Sequence, residues 1–168
     1  MPVGTVEIDP VRMTDVAGNP HTFHFRFDPA FRKIEAFELV DGAPGGYQFA
    51  VRPDEAQPEE PVVALLGRLL ARIRRALAVR QIEPCSIIHG GYTLRGKSVR
   101  GRVDYDPQRE HGPSLPVIVL DGRTFQWEEF GAMLMSFEGW DFRLSMLDAT
   151  EEDEPPAAGP VNFLTGNG

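Results

Sequence analysis

A chain of 168 residues, 25% charged and 42% hydrophobic, suits one soluble domain that buries roughly 70% of the surface its unfolded form exposes. Its single cysteine, Cys85, excludes an intramolecular disulfide and a multi-cysteine zinc site, and its net charge of -8 opposes indiscriminate attachment to nucleic acid or anionic lipid. The opening MPVGTVEIDP lacks the basic start and apolar run of an export signal, and no stretch approaches the about 18 apolar residues of a membrane span; the expectation is a cytoplasmic, bacterial protein.

The N-terminal third reads as an antiparallel meander. Thr5 to Val16 returns through His21 to Phe27 after the turn residues Ala17-Gly18-Asn19-Pro20. Phe23, Phe25 and Phe27 alternate with His24 and Arg26, the period of a strand with one buried side. Ile34 to Val40 and Tyr47 to Val51 form a second pair around a loop over residues 41–46. Arg52 to Pro61 reads as a Pro- and Glu-rich linker ending in acids that favour a helix N-terminus. From Pro61 to about Gln81, Val62, Leu65, Leu66, Leu69, Ile73 and Leu77 recur at helical spacing and make one apolar stripe. Arg68, Arg72 and Arg75 fall opposite that stripe, and Pro84 is the expected stop.

Short strands are expected over Cys85 to His89, Tyr92 to Arg95, Ser98 to Tyr105 and Pro116 to Leu120, with a loop from Asp106 to Pro113. Asp121-Gly122 is a tight-turn pair leading into Arg123 to Phe125. A short helix follows, with Gln126 as N-cap, Glu129 at the capping-box position, Phe125 stapled onto Phe130, and a core face of Phe130, Met133, Leu134 and Phe137. Gly139 ends it, and Trp140, Phe142, Leu144 and Met146 alternate with Asp141, Arg143 and Ser145 as a final half-buried strand. Residues 1–148 are thus expected to form a single domain, and the acidic, Pro-rich residues 149–168 a disordered tail. The run RTFQWEEFGAMLMSFEGWDFRL, through Trp127, Glu128, Glu129, Gly131, Glu138, Gly139 and Phe142, resembles a turn-helix-strand pattern of uncharacterised bacterial domains of unknown function. That resemblance spans Asp121 to Leu147 and implies a fold but no activity.

Charge is segregated along the chain. Nine of the seventeen basic residues lie between Arg68 and Arg102 beside the single acid Glu83, so that stretch carries +8 and the remainder -16. If helix and hairpin pack side by side, Arg68, Arg72 and Arg75 join Arg95, Lys97, Arg100 and Arg102 in one cationic surface, to which guanidinium groups bring planar bidentate donors.

Other constellations carry less. Gly91-Tyr-Thr-Leu-Arg-Gly96-Lys97-Ser98 matches a phosphate loop formally, but a strand rather than a helix is expected after Ser98. His21 and His24 point to opposite strand faces. Cys85 and His89 share a face without a third orienting group, and Asp104 and Asp106 have Arg102 and Arg109 as ready ion-pair partners.

The fold expected is α+β: antiparallel sheets with one long amphipathic helix and one short C-terminal helix. The function expected is a non-enzymatic interaction module binding an acidic protein or peptide through the Arg-rich surface, with no cofactor and no metal. The alternatives are a nucleic-acid accessory protein using the same patch, and a small enzyme built on a carboxylate or Cys85/His89 site. The acidic tail is a candidate self-competitor for the patch.

Overall fold

A computed structural model describes residues 6–151. Strands β1 (Val6–Thr14), β2 (Pro20–Asp28), β3 (Lys33–Val40) and β4 (Ala43–Val51) form an antiparallel sheet in chain order. The alternation in β2 sets its orientation: Phe23 and Phe25 are buried while Arg26 is exposed. Between β3 and β4 the expected six-residue loop is instead a two-residue turn, because Asp41 and Gly42 take φ of 52° and 78°, the left-handed pair that matches the twist of a hairpin. The surplus residues go into a bulge, where the register shifts between Phe37 and Glu38 and Gly46 takes φ 54°.

Helix α1 (Val62–Leu77) packs on β3 and β4, burying Leu65, Leu69, Ile73 and Leu77, one residue per turn. With Phe23, Phe25, Ile34, Ala36 and Val51 they make the first core. The helix stops at Ala78, well before Pro84. Gln81 and Ile82 leave helical pairing because the Asp121 carboxylate accepts both of their N–H groups, at 2.9 and 3.1 Å.

The second half gathers two small antiparallel sheets, β5 (Ile82–Pro84) with β6 (Tyr92–Leu94), and β7 (Arg102–Tyr105), β8 (Pro116–Leu120), β9 (Arg123–Phe125) in that order. Asp121 and Gly122, at φ 50° and 74°, turn β8 into β9. Helix α2 (Trp127–Leu134) follows, its Glu129 carboxylate accepting the Gln126 N–H at 2.7 Å as a capping box requires. The second core is Ile82, Ile118, Leu120, Phe125 and Met133, with Tyr92, Leu94, Val99 and Phe130 against it.

Four expectations change here. Cys85 to His89 is a turn, closed by the Cys85 N–H on the Gly91 carbonyl at 2.8 Å, with Gly90 and Gly91 at φ 89° and 75°. Residues 98–101 are not strand, so β7 starts at Arg102. Leu134, the last residue of α2, is 43% exposed while Met133 beside it is fully buried, so it is not part of the core face. Trp140 to Met146 is not a strand: among the described residues it pairs with none of the sheets. Of the tail, residues 152–168 lie outside the described residues. Among the described residues no helix is long and apolar enough to cross a membrane.

Candidate functional site

The arginines expected to form one outward face divide into two groups. Arg68 and Arg72 are half-buried and bend back over β4. Arg68 Nη1 donates to the Arg52 carbonyl at 3.2 Å and to Glu60 Oε2 at 2.7 Å. Arg72 Nη1 donates to the carbonyls of Ala50 and Ala149, both at 2.8 Å, with its guanidinium 6.0 Å over the Phe49 ring. From the second half, Arg102 Nη1 reaches the Gly46 carbonyl at 2.8 Å and its Nη2 the Asp104 carboxylate at 3.2 Å. β4 is an edge strand whose unpaired carbonyls need partners. Guanidinium groups on long apolar stems supply them, which no charge count along the chain foretells.

The second group stays outward. Arg74 and Arg75, in the last turn of α1, are exposed, as are Arg95, Lys97 and Arg100 in the loop after β6. That loop is held against the end of α1 through one residue: the Gln81 carbonyl accepts the Arg95 N–H at 2.9 Å, and Gln81 Oε1 accepts the Arg100 N–H at 3.0 Å. Within it Arg95 lies 3.8 Å from Glu83, with both side chains about half exposed, a separation at which solvent screens most of the attraction. Lys97 Nζ sits 5.0 Å over the Trp140 ring, in cation–π range.

The structure also assembles a polar junction that reading along the chain did not bring together. His21 sits between two carboxylates, Nδ1 at 2.7 Å from Glu38 Oε1 and Nε2 at 3.2 Å from Asp15 Oδ2. Glu38 Oε2 accepts the Tyr47 N–H at 2.8 Å. Arg80 Nε lies 3.4 Å from Asp121 Oδ2, the same oxygen that holds the Gln81 and Ile82 amides. Burial raises the Asp15 carboxyl, but hydrogen bonds from the Asn19 side chain and backbone, from His21 and from Ala17 outweigh it and hold Asp15 below the usual carboxylate range. Burial, then the charges of Asp121, Asp15 and Glu38, push the Tyr47 phenol above its ordinary value. The cleft over these groups is about 280 Å³. The signal that betrays it is a turn acid, Asp121, at left-handed φ, whose carboxylate reaches a helix exit forty residues earlier in the chain.

The remaining motifs disperse. Lys97 lies in an exposed loop, and no helix begins at Ser98. His89 is exposed on the turn that Cys85 opens. Asp104 pairs with Arg102, whereas Arg109 turns to Glu128 at 2.9 Å. Among the described residues no group of three or more His, Cys, Asp or Glu side chains is placed to hold a metal ion.

Comparison with known families divides the chain where its two cores meet. Residues 4–78 are similar to a domain of unknown function (DUF7686), and residues 84–151 to another (DUF7713). The first span holds the four-stranded sheet and α1, the second β6 to β9 and α2, and Asp121 bonds the link between them, in which β5 begins. The comparisons with curated proteins and with solved structures give no match.

Proposed function

We propose that this chain is a non-enzymatic interaction module, cytoplasmic in setting, that receives an acidic protein or peptide at the cationic end of its one long amphipathic helix. The contact residues are Arg74 and Arg75 of α1 with Arg95, Lys97 and Arg100 of the following loop. One observation carries the reading: Gln81, four residues past the end of α1, fixes the loop backbone at both Arg95 and Arg100, so cations from two segments share one exposed end. Arg68, Arg72 and Arg102 serve instead to hold that end against β4. A peptide with alternating carboxylates offers each guanidinium a bidentate partner, and a protein of net charge -8 repels a long polyanion while a short acidic segment meets only the local field.

The test is fluorescence anisotropy with a labelled oligoglutamate peptide and, in parallel, a labelled single-stranded RNA. The wild type binds the peptide, more weakly as salt rises. Arg95→Glu, Lys97→Glu and Arg100→Glu together abolish binding at unchanged circular dichroism. Binding that survives the charge reversal, or RNA bound more tightly than peptide with a steep log-linear salt slope, refutes the reading.

A further inference from the structure

The segment after α2 alternates apolar and polar residues as a strand does, yet it pairs with no strand among the described residues. Gly139, at φ 84°, releases it from the 3-10 turn, and residues 140–148 then lie exposed, in neither helix nor strand. It is held at both ends, by the Trp140 N–H on the Phe137 carbonyl at 2.9 Å and by Arg72 on the Ala149 carbonyl at 2.8 Å. Between these anchors, residues 141–147 make no backbone hydrogen bond among the described residues. Trp140 is 57% exposed, Phe142 90%, Leu144 74% and Met146 68%; all four fall on one face of a strand, an apolar row larger than scattered surface residues explain.

We infer that this segment pairs, antiparallel and about a two-fold axis through Phe142, with the same segment of a second copy of the chain. The sequence is self-complementary in that register. Asp141 of each copy stands opposite Arg143 of the other, Trp140 opposite Leu144, and Phe142 opposite itself. Both charged pairs then lie on one face of the ribbon and Trp140, Phe142, Leu144 and Met146 on the other, the isologous contact that a two-fold axis demands. The area also suits a second copy. With aromatics burying about 150–250 Å² each, the exposed parts of Trp140 and Phe142 offer roughly 300 Å² per copy. Leu144 and Met146 on the same face bring the apolar area available in two copies to the order of 1,000 Å², the lower end of specific interfaces. The inference goes beyond the proposed acidic partner and uses different residues.

A charge-swap series tests both partner and register, since Asp141 and Arg143 are exposed and their exchange leaves both cores untouched. Sedimentation velocity on the wild type at about 100 µM, well above a micromolar dissociation constant, should show a dimer. Arg143→Asp sets aspartates face to face and Asp141→Arg sets arginines face to face, so each single variant should weaken association at least about tenfold, the order expected of like charges directly opposed. Carrying both changes restores opposite charges and should restore the dimer, with circular dichroism and melting temperature constant across the series. A monomeric wild type overturns the inference, as does a dimer indifferent to the single changes. A double variant no better than the singles overturns the register and with it the two-fold pairing.

Discussion

Asp121→Asn removes one charge from the junction between the two cores while preserving shape and turn. Asn accepts the left-handed backbone that Asp121 holds at φ 50°, so strain is not at issue. The carboxylate, however, accepts from Gln81 at 2.9 Å, Ile82 at 3.1 Å and Arg80 Nε at 3.4 Å through Oδ2, and again from Gln81 at 3.1 Å through Oδ1. The amide keeps one acceptor and turns the other position into a donor facing donors. With the Asp121 side chain 6% and that of Arg80 18% exposed, water restores little. A hydrogen bond to a charged group contributes about 1.5–3 kcal/mol, and the retained oxygen recovers one backbone bond. The expected loss is about 2–4 kcal/mol, read as a lower urea midpoint at unchanged slope and faster amide exchange at Gln81 and Ile82. Asp41→Asn is the internal control: it occupies the same turn position before Gly42, at φ 52° and exposed, and should change stability by less than about 0.5 kcal/mol. Equal effects of the two substitutions, or a loss under about 1 kcal/mol at Asp121, would refute the view that this carboxylate clamps the halves.

Gly101→Ala should lower stability by about 1–3 kcal/mol, the usual cost of overpacking, because an added Cβ lies 2.6 Å from the Val119 carbonyl oxygen and meets the Leu120 side chain; Gly67→Ala, where a Cβ meets open space, should be neutral or slightly stabilising, and an equal response at the two sites contradicts the packing argument. Asp15 is held more acidic in the fold than its ordinary 3.8, so the stability it contributes is complete above that value and is lost as pH falls through the lower folded one. Between about pH 5 and about pH 3 the urea midpoint should therefore fall less in Asp15→Asn than in the wild type, and parallel falls would show that Asp15 is not so held.

What the sequence determines by itself is everything carried by local periodicity. The alternation of Phe23, Phe25 and Phe27, the four-residue recurrence of Leu65, Leu69, Ile73 and Leu77, and the Asp121-Gly122 turn are each imposed by backbone geometry on neighbouring residues, and the antiparallel sheets and two helices follow from them. Local pattern also names the charged residues of the candidate surface. It does not say where their long side chains end. Arg68, Arg72 and Arg102 turn inward because an edge strand leaves its carbonyls to be satisfied, a demand created only once β4 has taken its place in the sheet. The helix ends at Ala78 where Asp121, forty residues on in the chain from Gln81, accepts the amides beyond it. Trp140 to Met146 has every local mark of a strand and remains unpaired within the described fold, because a strand is completed by hydrogen bonds to a neighbour, and a neighbour is a property of tertiary or quaternary structure alone.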